Sequence, residues 1–294
     1  MELQKIYTEE TKNLISFAES RIGGRPENQD SYGWANTLFG YLVTVCDGMG
    51  GGPGGKTAST IAVDNIIAGV KEASKDEEIS NIIIKAIRRA NMAIIEAGKE
   101  NPDLQGMGST ATVLLINENA AYVAHVGDSR IYQIRGRKKI FRTFDHSMVF
   151  EMVEQGVITE EQARLSAQSN VITRALGIMP DVKVDIQELA YEKGDRFVLC
   201  TDGIHGSMPE EQFIKICSSR KGKLGAVTDD ISTYVDSLGR SIGGGHDNLT
   251  LALVEMTGNS RQKDTSAKKH NIVLLAIIIF LVLAIISFLI YFLH

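Results

Sequence analysis

Five aspartates share one local setting in this sequence, because each stands at the end of a strand-like segment or in a loop beside one. They are Asp30, Asp47, Asp128, Asp202 and Asp247. If these carboxylates met at one rim they would repel each other, and a hard divalent cation such as Mg²⁺ or Mn²⁺ would hold them together. Each motif taken singly is also typical of an ordinary turn or cap. The recurrence of the pattern is what predicts a metal site.

One of these carboxylates lies between a short apolar stretch and a run of glycines, in YLVTVCDGMGGGPGGKT. Residues 41–46 are predicted to form a buried strand that delivers Asp47 into a loop with no crowding side chains. Gly50 to Thr57 also satisfies the G-x-x-x-x-G-K-[ST] pattern of a phosphate-binding P-loop. Pro53 removes one N–H from that cradle, and Asp47 would bring negative charge to the phosphates. The P-loop is therefore the less favoured interpretation.

Blocks of strands and helices alternate along the chain. Strands are predicted over 14–20, 32–36, 41–46, 110–116, 120–126, 130–135, 139–143, 183–189, 196–201 and 249–256. Helices are predicted over 57–72, 77–99, 147–155, 160–166, 209–218 and 225–241. Because the links between the strands of residues 110–143 are very short, those strands must pair antiparallel. This order predicts an α+β fold of two packed sheets with helix pairs outside.

The composition fits an enzyme of a reducing compartment. The chain has 294 residues, a net charge of −5 and three cysteines, Cys46, Cys200 and Cys217. An odd number of widely separated cysteines predicts neither a disulfide framework nor a zinc site. None of the three begins a C-x5-R loop, so a cysteine-based phosphatase is not indicated.

The C-terminal segment 272–293 is uninterrupted by charge. As a helix its 22 residues would cover about 33 Å, enough to span a bilayer. The preceding linker 258–271 is basic, which predicts that this flank stays in the cytoplasm. We expect no signal peptide in the polar N-terminus, and a soluble body over residues 1–257. The tail carries four basic residues and one acid, which leaves a net charge of −8 on the body and gives no support for nucleic-acid binding.

Eight motifs in this order resemble those of the PPM-type, or type 2C, metal-dependent serine/threonine protein phosphatases, and the bacterial branch is the most similar. The motifs are RPENQD, DGMGG, GST, VGDSR, DHS, TRALG, CTDG and DNLT, spread over residues 17–255. The resemblance implies a four-layer αββα sandwich, with two packed antiparallel sheets flanked by helix pairs. It also implies that segment 147–170 is a mobile flap over the site.

The resemblance implies a set of metal ligands. Asp47 would bridge two ions, Mn²⁺ or Mg²⁺, and the Gly48 carbonyl would bind one of them. Asp202 and Asp247 would complete the shell of the other ion. Asp128, together with Asp202, matches a weaker third metal site found in bacterial members.

Two more residues take roles from the same resemblance. Arg25 matches the arginine that holds the substrate phosphate, and Asp30 would act through metal-bound water. Paired cations lower the pKa of a bridging water, so that hydroxide attacks phosphorus without a protein nucleophile. Arg25 would bind the phosphate bidentately and neutralise developing charge.

The chain departs from the family pattern at four positions. Gln29 stands where many relatives have glutamate, which removes a charge near the second metal. Met49 occupies the place of a histidine proposed as general acid in eukaryotic members, so that role has no occupant here. Gly52 and Lys56 replace a histidine and a glutamate that are common in bacterial relatives.

Four histidines lie near the motifs or within a strand. We expect His146, His205 and His246 to be loop or capping residues, because a catalytic role requires geometry that sequence does not give. His125 lies inside a predicted strand and is expected in the core.

The favoured hypothesis is a tail-anchored phosphatase at the cytoplasmic face of a cell membrane that hydrolyses phosphoserine and phosphothreonine. Its expected substrates are proteins phosphorylated by a bacterial serine/threonine kinase, and no nucleic-acid partner is expected. The alternatives are a catalytically silent binding module with the same fold and the P-loop nucleotide hydrolase. Loss of a metal aspartate would indicate the silent module, and none of the matched aspartates is missing.

Overall fold

Two antiparallel sheets form the centre of the protein. The computed structural model describes residues 3–11, 13–50 and 53–261. The first sheet has the order β1 (Leu3–Thr11), β2 (Leu14–Arg21), β13 (Leu249–Met256), β12 (Arg196–Cys200), β9 (Arg130–Arg135) and β10 (Lys138–Arg142). The second has the order β11 (Asp185–Leu189), β8 (Ala121–Val126), β7 (Ala111–Ile116), β4 (Gly40–Cys46) and β3 (Ser31–Thr37). A short ladder joins β5 (Gly48–Met49) to β6 (Gly108–Ser109).

The two sheets pack on each other through apolar side chains. Val43 and Leu114 of the second sheet share one buried cluster with Phe197 and Ala252 of the first. The central strands β4, β7 and β12 are buried along almost their whole length. Such continuous apolar runs are typical of strands covered on both faces.

Helices cover the outer faces of both sheets. Helices α1 (Gly54–Lys71) and α2 (Ile79–Glu100) pack on the second sheet, with Ile66, Ile83 and Ile87 in the shared cluster. Helices α6 (Glu210–Cys217) and α7 (Leu224–Ser241) cover the first. Shorter helices are α3 (Met148–Glu154), α4 (Glu160–Arg164), α5 (Asp202–His205) and a 3₁₀ turn, Pro102–Leu104. The sandwich therefore has helical layers on both sides.

Strand directions give the sandwich two different ends. β4 and β12 both run toward the end where Asp47 and Asp202 follow them, and β13 starts there after Asp247. We call this the carboxylate end. The opposite end, which we call the distal end, holds the turns after β3, β7 and β9 and the last residues of β13.

The predicted antiparallel sheets and outer helices are confirmed, with most element bounds within three residues. The prediction missed strand β1, the two-residue strands β5 and β6, the 3₁₀ turn and helix α5. Helix α1 begins at Gly54, three residues before the predicted start, because Pro53 takes the position just before it and fits a helix N-terminus. Over the described ranges no helix is both long and apolar enough to cross a membrane. The predicted span 272–293 and most of the basic linker lie outside those ranges.

Candidate metal centre and active site

A cavity of about 460 Å³ opens at the carboxylate end. Its lining includes six of the predicted site residues: Arg25, Asp47, Gly48, Asp128, Asp202 and Asp247. Asp30 lines a neighbouring cavity instead. Its carboxylate is buried, and the charges of Asp202 and Asp247 raise its pKa. The charge of Asp30 in turn raises the pKa of Asp47. The structure thus brings the predicted residues to one place, with Asp30 behind the cavity wall.

Asp47 is held by its backbone. Its N–H donates to Thr110 Oγ1 (2.8 Å), and its carbonyl accepts from the N–H of Thr110 (2.8 Å) and from Ser109 Oγ (3.0 Å). A Cβ on the next residue, Gly48, would lie 1.9 Å from the Gly55 carbonyl oxygen. Glycine is therefore required where the start of α1 crosses the loop, which leaves Asp47 free to point into the cavity.

Asp202 and Asp247 approach each other because two loops touch. A Cβ on Gly203 would lie 2.1 Å from the carbonyl oxygen of Asn248, so only glycine permits this contact. The Asn248 N–H donates to Asp247 Oδ1 (2.8 Å). The Asn248 side chain accepts from the N–H of Gln29 and donates to two carbonyls of the loop that carries Arg25. Asn248 therefore fixes the Arg25 loop against Asp247, a role that sequence analysis did not assign.

Asp30 is positioned from both sides. Thr201 Oγ1 donates to its Oδ2 (3.1 Å), and Lys56 Nζ donates to its backbone carbonyl (2.6 Å) and to Ser31 Oγ (3.0 Å). In a P-loop the lysine would face phosphates, whereas here it is engaged with the main chain behind Asp30. The antiparallel second sheet also differs from a P-loop architecture.

Electrostatics at this end are unfavourable without a cation. Burial, reinforced by the charge of Asp202, raises the pKa of Asp30 to about 7. Burial and the charge of Asp247 raise the pKa of Asp202 to about 6. Burial and neighbouring aspartates also raise the pKa values of Asp47 and Asp128 well above their usual range. Mutual repulsion among buried carboxylates is typical of a site built for a positive ligand.

Two carboxylate oxygens give a direct test of whether a metal fits. Asp30 Oδ1 and Asp202 Oδ1 are buried and have no hydrogen-bond partner among the described residues. A buried, unsatisfied carboxylate oxygen is costly, and coordination to a divalent cation would remove that cost. The oxygen-only donor set suits Mg²⁺ or Mn²⁺. The residues therefore fit the implied metal.

Arg25 lies at the rim of the same cavity. Its side chain is 48 % exposed, and Nη2 donates to Asp247 Oδ2 (3.0 Å). The guanidinium is therefore accessible to an anion entering from solvent while it stays anchored beside the carboxylates. This place suits a residue that binds a phosphate group.

A second group of potential ligands lies apart from the aspartates. Across the described ranges, His125, His146 and Asp185 are the residues whose ligand atoms all lie within 4.8 Å of one another. The Gly127 N–H donates to His146 Nδ1, so neutral His146 carries its hydrogen on Nε2 and donates it to Asp185. Arg174 Nη1 donates to the other oxygen of that carboxylate, Asp185 Oδ1 (3.1 Å). This group is therefore a hydrogen-bonded cluster at the base of the flap and not a second metal centre.

Buried ion pairs hold the flap segment 147–170 in place. Arg130 donates twice to Asp145 (both 2.7 Å), and its guanidinium lies over the ring of Phe150 in α3. Arg142 donates to Glu160 of α4 and also lies over Phe150. Sequence analysis assigned no role to these arginines. For Arg130 the sequence signal was a pair of motifs, because VGDSR supplies Arg130 and DHS supplies Asp145. Only the fold shows that these two residues form an ion pair.

Comparisons with known proteins agree with this geometry. A family model described as protein phosphatase 2C matches residues 19–231. The serine/threonine phosphatase stp of Listeria monocytogenes is 32% identical over 246 residues, 82% of this chain and 95% of that protein. The solved S. agalactiae serine/threonine phosphatase superposes with a TM-score of 0.75 at 31% identity, covering 82% of this chain and 99% of that one. The catalytic domain of PstP, solved with two manganese ions, gives 0.69 at 28% identity, with 83% and 99% coverage.

Proposed function

The chain belongs to the protein phosphatase 2C family, and from that premise we propose that its carboxylate end is the active site of a metal-dependent serine/threonine phosphatase. The enzyme hydrolyses phosphate monoesters on protein side chains. The observation that carries the assignment is the group of buried and half-buried aspartates in and behind one cavity, two of them with a buried oxygen that lacks a hydrogen-bond partner among the described residues.

Each residue of the site has a role that its position supports. Asp47, Asp202 and Asp247, with the Gly48 carbonyl, line the same cavity and would hold two divalent cations, and Asp128 with Asp202 would hold a weaker third. Thr110 hydrogen-bonds to Asp47, and Asn248 hydrogen-bonds to Asp247. These contacts keep the ligands in place, as residues that contact metal ligands commonly do.

The substrate phosphate enters beside Arg25. Its exposed guanidinium binds two phosphoryl oxygens and orients phosphorus toward the aspartates. When bound, the cations supply Lewis-acid polarisation of the phosphoryl oxygens and lower the pKa of water. Asp30 lies behind the cavity wall with a buried oxygen that lacks a hydrogen-bond partner among the described residues, which suits it to orient water beside the other aspartates. The described cysteines are all buried, so a thiol nucleophile has no access to the phosphate.

Manganese is the ion that we favour. The solved PstP catalytic domain contains two manganese ions, and the oxygen donors found here suit Mn²⁺ and Mg²⁺ alike. The finer assignment of two ions plus a third rests on the match of Asp47, Asp128 and Asp202 to the ligands of the family pattern.

Membrane attachment and substrate choice belong to the same proposal. The apolar segment 272–293 is long enough to span a bilayer, and the basic linker before it would keep the catalytic body in the cytoplasm. An anchored phosphatase acts on proteins phosphorylated near the membrane. The expected substrates are therefore phosphoproteins produced by a bacterial serine/threonine kinase.

An assay on two substrates tests the activity. The full chain in mild detergent should release phosphate from a phosphothreonine peptide when Mn²⁺ is present, and EDTA should abolish the release. Hydrolysis of ATP that depends on Lys56 would favour the P-loop alternative instead. No turnover of either substrate, together with intact Mn²⁺ binding, would favour the silent binding module.

A further inference from the structure

The distal end of the sandwich carries a concentration of exposed basic side chains that the phosphatase reaction does not use. Arg137 and Lys138 lie in or beside the turn between β9 and β10, and Lys193 lies in the turn between β11 and β12. Lys221 and Lys223 lie in the loop between α6 and α7. All five are exposed, and no ion pair involves any of them in the part of the chain that is described.

Ion pairs and a hydrogen bond join these three loops into one surface. Arg135 pairs with Asp195 and Glu192, which ties the β9–β10 turn to the β11–β12 turn. Arg220 Nη2 donates to the Gly194 carbonyl (2.6 Å), which ties the α6–α7 loop to the same turn. We name residues 135–138, 191–196 and 218–223 together the basic face.

The acidic side chains at this surface are neutralised by neighbours. Asp195 and Glu192 pair with Arg135, Glu255 pairs with Arg196 and Arg220, and Glu118 pairs with Arg261. Nine basic side chains therefore stand against four acidic ones in these loops, the adjoining C-terminal residues and the turn between β7 and β8. The excess positive charge contrasts with the acidic body as a whole.

The described chain leaves the body at the same surface. Ser260 Oγ donates to the Tyr191 carbonyl (3.0 Å), and the backbone N–H of Lys193 donates to Asn259 Oδ1 (2.6 Å). Beyond Arg261 the sequence continues with Lys263, Lys268 and Lys269, and then with the apolar segment 272–293. About ten residues thus separate the basic face from the segment that we assign to the bilayer.

We propose that the basic face docks on the anionic surface of the membrane in which the tail is anchored. This inference rests on the proposed membrane attachment. Lys and Arg near an anionic leaflet are attracted to it, and the attraction is lost at high salt. The loop 72–78, at the distal end of α1, carries four acids and one lysine and would stay away from the lipid. The docked body therefore tilts so that the first sheet lies nearer to the lipid than helices α1 and α2.

Docking fixes where the active site points. Strand β13 begins at Leu249, two residues after Asp247 at the carboxylate end, and ends at Met256 at the distal end, so its eight residues cover about 26 Å. With the basic face on the lipid, the cavity that contains Arg25 faces the cytoplasm at about that height. Phosphorylated residues at that distance from the bilayer would be reached, and those within the headgroup layer would not.

Amide hydrogen exchange on the full chain in lipid nanodiscs tests the proposal. Discs of phosphatidylcholine alone are compared with discs that also contain phosphatidylglycerol. We expect slower exchange in the three loops of the basic face only in anionic discs, reversed by high salt. The flap segment 147–170 and the loop 72–78 should exchange equally in both discs.

A pair of matched variants separates docking from net charge. Lys193→Glu with Lys221→Glu reverses two charges of the basic face, and Lys99→Glu with Lys183→Glu reverses two exposed lysines toward the carboxylate end. Because each basic side chain contributes roughly fivefold to association with an anionic surface, the first pair should reduce lipid-dependent protection about tenfold or more. The second pair should leave it unchanged. Turnover of a small phosphate ester should be the same in all three proteins.

Three outcomes would overturn the inference. The first is equal protection in neutral and anionic discs, and the second is equal loss in both variant pairs. The third is protection of these loops by added single-stranded RNA on neutral discs, with no response to anionic lipid. A chain that neither disc retains overturns the anchor instead. If such a chain floats with anionic vesicles at low salt but not at high salt, the docking of the basic face is supported without the anchor. If it does not float, both the anchor and the docking are overturned.

Discussion

Charge is concentrated at both ends of the sandwich, but its setting differs. At the carboxylate end Asp30 is buried and Asp202 is half-buried, and each keeps a buried oxygen that lacks a hydrogen-bond partner in the described ranges. At the distal end the buried Asp195 accepts from Arg135 and Gln133, and the surrounding lysines are exposed. The comparison teaches that an unsatisfied buried charge indicates a ligand, whereas a paired one serves the fold.

The largest expected effect comes from Asp47→Asn. It removes a proposed ligand of the catalytic cations, so turnover of a phosphothreonine peptide should fall by at least ~100-fold. Metal-free protein should become more stable, because repulsion among the buried aspartates is relieved. Steady-state rates and thermal unfolding in EDTA measure the two changes. A variant that loses activity and metal-free stability together would contradict the assignment.

Breaking a satisfied pair should act in the opposite direction on stability. Asp145→Asn leaves Arg130 buried with weakened partners, which should lower the free energy of unfolding by about 3 kcal/mol. Urea unfolding measures the change. Replacing both residues, as Arg130→Met with Asp145→Leu, should recover part of the loss, and no recovery would show that the pair has another structural role.

The pH dependence of stability should distinguish the unsatisfied Asp30 at the carboxylate end from the paired Asp195 at the distal end. The pKa of Asp30 is about 7 in the folded protein and near 3.8 when unfolded, so its contribution to metal-free stability is present below pH 4 and lost as pH rises to 7. Asp30→Asn should match the wild type at pH 4 and exceed it by on the order of 2 kcal/mol at pH 8. Unfolding at several pH values in EDTA measures this difference.

Asp195→Asn provides the control for that experiment. This carboxylate is paired at the distal end, so its loss should destabilise the protein at neutral pH rather than stabilise it. If both variants shifted stability in the same direction at pH 8, the distinction between unsatisfied and paired aspartates would fail.

The smallest effect is expected at the basic face. Lys193→Glu should change the free energy of unfolding by no more than about 0.5 kcal/mol, because the side chain is exposed and makes no ion pair with any residue that the structure describes. Turnover of a soluble phosphopeptide should stay within twofold of wild type. A large loss of either would place this lysine in the fold or the active site.

Sequence predicted the ligands better than their supports. Asp47 and Asp202 follow apolar strands and adjoin glycine, so local pattern sufficed to single them out. Asn248 acts through contacts with residues more than two hundred positions away, which no local pattern indicates. Strand β1 was missed because its polar sequence lacks the apolar run that signals a buried strand.

The basic face could not be predicted for a similar reason. Its lysines are scattered over three segments, and each segment alone is an ordinary polar turn. Only the pairing of Arg135 with Asp195 and the contact of Arg220 with Gly194 bring the segments together. Tertiary contacts thus create a basic surface that cannot be recognised from the composition, because the net charge of the whole body is negative.

Calorimetric titration of the metal-free full chain with Mn²⁺ at pH 7 tests the central claim most directly. Binding should release protons, because the raised pKa of Asp30 keeps it partly protonated before metal binds. Asp202→Asn should weaken binding strongly, whereas Asp185→Asn, in the histidine cluster, should leave it unchanged. Binding that survives Asp202→Asn and disappears with Asp185→Asn would place the metal elsewhere and contradict the account.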